Sequence, residues 1–225
     1  ETVSERRRQL LGSLTHELKT PMTSIIGYSD TLLHVKISEE QQKKALEHIN
    51  SECRRLERLS GKMMTLIGLY DEDRIHKEPY PVDRLVREVA DLERYHMQDS
   101  QMELLAFSES WECEMDVDLM ESLLVNLLDN AIKASKPGSV IELHGEKGCI
   151  WVRDFGKGIP KEEIPRITEA FYMVDKSRSR KAGGIGMGLA LCQKIAEIHR
   201  ANLVIESVVG QGTKISVVFQ EETDE

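Results

Sequence analysis

The sequence predicts two domains of different fold class, an all-α helical hairpin followed by an α+β sandwich. The first third of the chain has heptad-like apolar spacing and no strand signal. The stretch from Tyr70 to Pro81 is charged and contains two prolines, and the remainder mixes short apolar strands with helices. A chain of 225 residues is long enough for two cores. We expect domains at residues 1–72 and 82–221, a linker at 73–81 and a tail at 222–225.

Two long helices are predicted in the first domain, with a turn near His34 to Ser38. Each helix has one apolar stripe with alternating three- and four-residue steps. Two antiparallel helices alone cannot bury both stripes well, so we expect two copies to pair as a four-helix bundle. The first stripe is Leu11, Leu14, Leu18, Pro21, Ile25, Tyr28 and Leu32, and the second is Leu46, Ile49, Cys53, Leu56, Ser60, Met63, Ile67 and Tyr70.

The second domain is predicted to combine helices with a mixed sheet. The helices are predicted at residues 82–97, 117–135 and 187–199. The strands are predicted at residues 102–107, 112–115, 140–144, 149–153, 203–207 and 214–219. The third and fourth strands should form a hairpin around Glu146-Lys147-Gly148. Strict strand–helix alternation is missing, so we expect the helices on one face of the sheet.

The composition excludes several classes of function. The formal net charge of -9 argues against a nucleic-acid binder that neutralises phosphates. The four cysteines are far apart in sequence, so no C-x-x-C zinc or redox site is predicted and free thiols are expected. No apolar run reaches about 18 residues, so no membrane span is predicted in this fragment. Because the sequence begins at Glu1 rather than methionine, we expect it to be part of a longer chain.

A histidine on the first helix is the main candidate for a catalytic side chain. At about 100° per residue, His16 lies roughly opposite the apolar stripe and Thr20 shares its face. Pro21 removes the amide that would bond the carbonyl of Glu17, so the helix should bend or loosen there. Neutral imidazole is a good nucleophile near pH 7, because its ordinary pKa is about 6.5. A neighbouring carboxylate can accept the ring proton.

Four motifs in the second domain have the chemistry of a nucleotide site, although each taken alone is more typical of a helix cap, a surface asparagine or a tight turn. Asn126 and Asn130 lie four residues apart on one face of a helix. Asp154 follows a strand in D-F-G-K-G-I-P, where its carboxylate can accept the exocyclic amine of adenine. The glycine-rich residues 183–189 open a helix, whose N-terminus favours anions. They are not a Walker A loop, because no G-K-[ST] follows. The fourth motif, G-Q-G-T at residues 210–213, joins two strands.

These motifs together resemble the sensor histidine kinases of two-component systems. Residues 15–28, T-H-E-L-K-T-P-M-T-S-I-I-G-Y, are similar to the phosphoacceptor box. The later motifs follow the order of the Bergerat-type ATP-binding domain, which histidine kinases share with gyrase and heat-shock chaperones. The resemblance covers about residues 7–219. It implies ATP and Mg²⁺ as cofactors, a homodimer formed through the helical hairpin, and a response-regulator receiver domain as partner. It also implies the cytoplasmic portion of a bacterial inner- or plasma-membrane sensor protein.

The resemblance implies catalytic roles for three residues of the first helix. His16 would accept the γ-phosphoryl group of ATP, which then passes to an aspartate of a response regulator. Glu17 would accept the proton of the imidazole. Glu17 and Thr20 also match the family's E-x-x-T pattern for dephosphorylating the regulator, in which the threonine positions the attacking water.

The resemblance also implies the nucleotide-binding residues. Asn130 would bind Mg²⁺ with Asn126 in support, Lys133 would reach the phosphates, and Asp154 would read adenine. The other candidates for nucleotide contacts are Gly156, Gly158, Tyr172, Lys176, Arg178, Gly184, Gly186, Gly188, Leu189 and Thr213.

Two departures from the family pattern keep alternatives open. Met173 stands where the family has a phosphate-binding arginine, and Ala134 stands where an aromatic ring often stacks on adenine. The chain could therefore be a degenerate kinase that acts as a nucleotide-gated dimeric scaffold. A Bergerat-type ATPase without a phosphohistidine is the other alternative. Whether transfer occurs within a chain or across the dimer depends on the handedness of the turn at residues 34–38, and this also stays open.

Overall fold

The computed structural model describes residues 3–69, 75–174 and 186–220. The described residues up to Thr65 form one compact unit, and those from Leu66 onward form a second.

The first unit is a helical hairpin, as predicted. Helix α1 spans Val3–His34 and helix α2 spans Glu39–Gly68, so the turn lies where the sequence placed it. Ser38 and Gln41 form a capping box, in which the amide of Gln41 donates to Ser38 Oγ (3.3 Å) and the amide of Ser38 donates to Gln41 Oε1 (3.0 Å). Helix α1 continues without interruption through Pro21, so the loosening expected there does not break the helix.

The two apolar stripes are incompletely buried within one hairpin. Among the predicted stripe residues with described side chains, Pro21 and Met63 are buried and the rest remain partly or largely accessible. On α2, Ala45 and Leu59, which lie outside the predicted stripe, are buried instead. Several large apolar side chains of the hairpin are more than half exposed, namely Met22, Ile26, Leu33, Leu46 and Met64. A single hairpin therefore leaves apolar surface that a further partner could cover.

Ten helices and strands lie among the described residues of the second unit. In chain order they are β1 Glu78–Pro81, α3 Val82–Asp99, β2 Glu103–Ser108, β3 Glu112–Met115, α4 Val117–Ala134, β4 Val140–Glu146, β5 Cys149–Asp154, α5 Gly188–Ile198, β6 Ala201–Val208 and β7 Gly212–Phe219. Five strands form a mixed sheet in the order β2-β4-β5-β7-β6, in which β2 and β4 are parallel and the other neighbours are antiparallel.

The core of this unit lies between the sheet and its helices. Helix α4 packs against α3 and α5 and contacts β4, β5 and β7. Its leucines Leu123, Leu124, Leu127 and Leu128 are almost fully buried, as are Ile141, Leu143, Ile150 and Val217 of the sheet. Alternate residues of β4 are buried, so one face of this strand packs on the core. The predicted α+β sandwich is confirmed.

One strand was not predicted. Residues 78–81, which the sequence placed in the linker, form β1 and pair antiparallel with β3, with Glu78 opposite Met115 and Pro81 opposite Glu112. Proline lacks the amide that a central strand needs, so Pro79 and Pro81 were interpreted as signs of a linker. A two-stranded sheet has only edge strands, in which proline is tolerated.

His199 links the end of α5 to the start of α4. Its ring is buried, with Nδ1 donating to the carbonyl of Ile195 (2.8 Å). Its Nε2 accepts from the backbone amide of Asp116 (3.0 Å), and Asp116 caps the first turn of α4 through the amide of Leu119. The neutral imidazole makes both hydrogen bonds, one as donor and one as acceptor. Burial lowers the pKa of His199 below its ordinary value of 6.5.

Acidification is expected to destabilise the second unit through His199. As the pH falls below about 6.5, the unfolded chain protonates this imidazole before the folded one does, so the free energy of unfolding decreases. The decrease stops once the pH lies below the folded-state pKa. Urea denaturation at several pH values between about 7.5 and 5 should show a shallower pH dependence in His199→Gln than in the wild type. An equal pH dependence in both proteins would contradict this role.

Candidate functional site

The three candidate residues of the first unit lie on α1. Thr20 is exposed, as predicted. The backbone of His16 is helical. Its side chain is not among those that the structure describes, so the predicted solvent-facing orientation stays a prediction. Glu17 is largely buried, with 13% of its side chain exposed, and its Oε2 accepts from Nη2 of Arg55 (3.1 Å).

Arg55 is a site residue that sequence reasoning missed. It lies on α2, 38 residues from Glu17, and its own side chain is only 10% exposed. Its Nη1 lies 3.6 Å from Oε2 of Glu52, so one guanidinium contacts two carboxylates. A charged side chain buried to this degree needs such partners. The pairing depends on the register between α1 and α2, and no motif within α1 could indicate it.

Helix α4 carries the asparagine motif of the second unit. Nδ2 of Asn126, a buried residue, donates to the carbonyl of Ser122 (2.7 Å), so this amide is held against its own helix. Nδ2 of Asn130 is also buried, but it finds no hydrogen-bond partner among the residues that the structure describes. Lys133 is partly exposed and its Nζ lies 3.8 Å from Oδ2 of Asp129. Asn130 thus has unused hydrogen-bonding capacity where the sequence predicted a ligand contact.

Asp154, at the end of β5, is a buried carboxylate that lies close to the closely packed Gly156, Gly158 and Gly212. Only 5% of the residue is exposed, and Oδ1 accepts from the amide of Gly156 (2.8 Å). Burial raises the pKa of Asp154, although the amide bond from Gly156 works in the opposite direction. The carboxylate also accepts from the backbone amide of Thr213, but each of its oxygens has two lone pairs, so it keeps capacity for a ligand donor.

The loop after Asp154 brings three of the four motifs together. The amide of Lys157 donates to the carbonyl of Ala134 (3.1 Å), at the end of α4. The carbonyl of Lys157 accepts from the amide of Gly210 (2.8 Å), in the turn between β6 and β7. Motifs that are separated by about 20 to 80 residues in the sequence therefore meet around one loop.

Gly156, Gly158 and Gly212 permit this close approach. A Cβ atom on Gly156 would lie 2.3 Å from the carbonyl oxygen of Ala134. One on Gly158 would lie 2.1 Å from the carbonyl oxygen of Val208, and one on Gly212 would lie 2.0 Å from that of Asp154. Gly158 and Gly212 also have positive φ values, of +66° and +109°. The glycine pattern therefore has a steric cause at these positions.

Gly158→Ala is expected to destabilise the second unit much more than Gly148→Ala. Both glycines have positive φ, but a Cβ at Gly148 would meet nothing within 4 Å. The backbone strain alone should cost about 1–2 kcal/mol in Gly148→Ala. The clash with Val208 should raise the cost in Gly158→Ala to about 3 kcal/mol or more. Chemical denaturation measures both values, and equal losses would show that the backbone at Gly158 can move away freely.

Thr213 belongs to a buried hydroxyl network beside the same loop. Its Oγ1 lies 2.9 Å from Oγ of Ser207, and Ser207 donates its single hydroxyl hydrogen to the carbonyl of Gly212 (3.0 Å). Oγ of Ser207 also accepts from the amide of Ile159 (2.8 Å). Ser207 thus fastens the loop to the β6–β7 turn. Sequence reasoning missed it because a lone serine on a strand carries no motif.

Tyr172 lies at the end of the described part of the segment before α5. Its hydroxyl donates to Oε2 of Glu163, and the guanidinium carbon of Arg166 lies 4.2 Å from the centre of its ring. The neighbouring Phe171 donates its amide to the carbonyl of Gly186 (2.7 Å). Gly188 and Leu189 begin α5, as predicted. Lys176, Arg178 and Gly184 lie outside the described residues.

Two protein families match the chain. Residues 6–66 match the His Kinase A (phospho-acceptor) domain. Residues 115–223 match the family described as Histidine kinase-, DNA gyrase B-, and HSP90-like ATPase.

Among the described helices, none has the length and apolar character that a membrane span requires.

The chain is also similar to named relatives and solved structures. It is 32% identical to the sensor histidine kinase YkoH of Bacillus subtilis (strain 168), over 97% of this chain and 48% of YkoH. It is 29% identical to the sensor protein kinase WalK of Staphylococcus aureus, over 97% of this chain and 55% of WalK. The chain thus spans about half the length of these curated relatives.

Two solved structures share the fold. The Acinetobacter baumannii histidine kinase AdeS matches with a TM-score of 0.65 at 20% identity, over 92% of this chain and 98% of that chain. The histidine kinase ThkA, solved in complex with the response regulator protein TrrA, matches with a TM-score of 0.73 at 21% identity, over 95% of this chain and 63% of that chain.

Proposed function

The chain belongs to the sensor histidine kinases of two-component systems, and from this premise we propose that it uses ATP to phosphorylate its own His16. The phosphoryl group then passes to an aspartate of a response regulator. The observation that supports this proposal is the meeting of the Asp154 loop, the end of α4 and the β6–β7 turn, on a chain whose first helix also resembles the phosphoacceptor box. The complex of the structural neighbour ThkA with a response regulator supports the second step.

In the proposed reaction, a ring nitrogen of His16 attacks the γ-phosphorus of ATP. A nitrogen–phosphorus bond forms, the bond from the γ-phosphorus to the bridging oxygen breaks, and ADP leaves with that oxygen. The other ring nitrogen releases its proton to Glu17, whose carboxylate Arg55 holds in place (3.1 Å). Arg55 acts here as a positioning residue, because it acts through Glu17.

The nucleotide is bound by residues of the second unit. The carboxylate of Asp154 accepts a hydrogen bond from the exocyclic amine of adenine, while its Oδ1 stays bonded to Gly156. Lys133, partly exposed on α4, extends to the phosphates. The start of α5 at Gly188 offers backbone amides to the same phosphates. The candidate contacts from Lys176, Arg178 and Gly184 remain part of this proposal.

Asn130 is the proposed ligand for Mg²⁺. An amide oxygen is a hard donor that suits this ion. Nδ2 of Asn130 is buried without a described hydrogen-bond partner, so no described bond from that nitrogen fixes the orientation of the amide. The ion, when bound, offsets negative charge on the triphosphate. The side chain of Asn126 donates a hydrogen bond to the carbonyl of Ser122 and supports the face of α4 that carries Asn130.

A homodimer through the helical hairpin is part of the proposal. The exposed side chains of Met22, Ile26, Leu46 and Met64 would be covered if two hairpins paired as a four-helix bundle. The chain would then be the cytoplasmic portion of a bacterial membrane sensor protein, in keeping with the named sensor kinases of which it spans about half.

Incubation with ATP carrying a labelled γ-phosphate tests the proposed function. The protein should gain label that is lost in acid and retained in base, as expected for phosphohistidine. Adding a purified receiver domain should move the label to that domain. Nucleotide binding without any label would favour the scaffold alternative, and steady release of free phosphate without labelled protein would favour a Bergerat-type ATPase.

Thr20→Ala is expected to slow dephosphorylation of the regulator by at least about tenfold while leaving autophosphorylation nearly unchanged. The exposed hydroxyl of Thr20 is the proposed contact for the attacking water. The measurement is the decay of labelled receiver domain, with Thr31→Ala as the control because Thr31 is another threonine of α1. Full phosphatase activity in Thr20→Ala would refute the assignment.

A further inference from the structure

A cluster of possible metal ligands lies where α3 meets α4, outside the proposed nucleotide contacts. Glu93 and His96 are three residues apart on α3, so they share a face of the helix, and Asp129 comes from α4. One ligand atom from each of the three residues lies within 4.8 Å of the other two. Neither the sequence motifs nor the proposed phosphoryl transfer assigns a role to this cluster.

The distances around His96 suit a shared cation. Nδ1 of His96 lies 2.9 Å from Oε2 of Glu93 and 3.5 Å from Oδ1 of Asp129. Ligand atoms bonded to zinc at about 2.0–2.2 Å lie about 3.0–3.5 Å apart, so these separations would change little on binding. The ligands come from two helices that pack against each other, so the arrangement is largely formed before an ion enters.

The charges of the cluster also favour a cation. Glu93 is buried, with 7% of the residue exposed, and a second carboxylate from Asp129 lies beside it. Two neighbouring carboxylates, of which Glu93 is buried, are stabilised by a positive partner. Nζ of Lys133 lies 3.8 Å from Oδ2 of Asp129, so Oδ1 of Asp129 remains available to an ion. His96 is 46% exposed, which gives an ion access from solvent.

We propose that Glu93, His96 and Asp129 bind one divalent transition-metal cation, with Zn²⁺ as the best match. One imidazole nitrogen and two carboxylate oxygens form a donor set that suits zinc better than magnesium, because Mg²⁺ prefers oxygen ligands alone. The ion links α3 to α4 through Asp129, which directly precedes Asn130 in the sequence. It is distinct from the Mg²⁺ proposed to accompany ATP.

Calorimetric titration of the nucleotide-free chain with Zn²⁺ in excess Mg²⁺ tests this proposal. We expect one bound ion per chain in the wild type and an affinity at least about tenfold lower in both His96→Gln and Glu93→Gln. His34→Gln is the matched control, because His34 is exposed on α1 and lies outside the cluster. Its affinity should equal that of the wild type. His96 is partly exposed, so His96→Gln should fold even if substitution of the buried Glu93 does not.

Co²⁺ provides a second measurement that separates this site from binding to cysteine. The visible spectrum should show bound Co²⁺ without a thiolate charge-transfer band, and the signal should be lost in His96→Gln. Three results would overturn the proposal: no stoichiometric Zn²⁺ binding, equal affinity in the wild type and His96→Gln, or a thiolate spectrum. None of them affects the kinase proposal, because these titrations contain no nucleotide.

Discussion

His16→Gln is expected to abolish labelling of the protein by γ-labelled ATP, with a loss of at least about a thousandfold. Glutamine keeps a polar side chain of similar length on α1 but has no nucleophilic ring nitrogen, so the covalent step has no acceptor. Labelling is measured after quenching in base, which preserves phosphohistidine.

Two controls make the result for His16→Gln specific. ATP binding should be unchanged, because the described residues among the proposed nucleotide contacts all lie in the second unit. His34→Gln, at the last turn of the same helix, should be labelled as fully as the wild type. Base-stable label that persists in His16→Gln would mean that another residue is the phosphoacceptor.

Asp154→Asn is expected to weaken ATP binding by about 30- to 100-fold, the second large effect. Oδ1 accepts the amide of Gly156, so asparagine should keep its oxygen there and turn its NH₂ group toward the ligand. Two donors would then face each other where adenine presents its amine, and an unmatched buried donor costs about 2–3 kcal/mol. Fluorescent-nucleotide displacement measures the affinity.

The stability of Asp154→Asn separates loss of recognition from loss of folding. Burial raises the pKa of Asp154, so the folded protein keeps the charged carboxylate at a cost that a neutral amide avoids. The variant should therefore unfold at a temperature equal to or higher than that of the wild type. Asp118→Asn, at an exposed position in the first turn of α4, is the control for both measurements. Unchanged ATP affinity in Asp154→Asn would remove this residue from the nucleotide site.

Local patterns were sufficient to predict most of the fold. The apolar stripe of α4 and the hairpin of β4 and β5 depend on neighbouring residues, and both were located within about two residues of their observed ends. Strand β1 was missed because its prolines oppose strand pairing except at an edge, and whether a strand is an edge depends on the whole sheet.

The site was predictable where glycines and ligands follow one another in the chain. Asp154, Gly156 and Gly158 lie within five residues and share a loop, so one motif was enough to find them. Arg55 and Ser207 could not be predicted in this way. Arg55 contacts Glu17 across the hairpin, and Ser207 contacts Thr213 across two strands, so each role depends on tertiary register.

The position of β7 has a consequence for protein synthesis. This strand lies between β5 and β6, although it is the last of the seven described strands to leave the ribosome. Asp154 pairs with Thr213, so the side of the loop that the nucleotide would occupy cannot close until β7 has been made and inserted. The helical hairpin is complete about 150 residues earlier. A nascent chain can therefore complete the two helices that carry His16 while the proposed nucleotide site still lacks this strand.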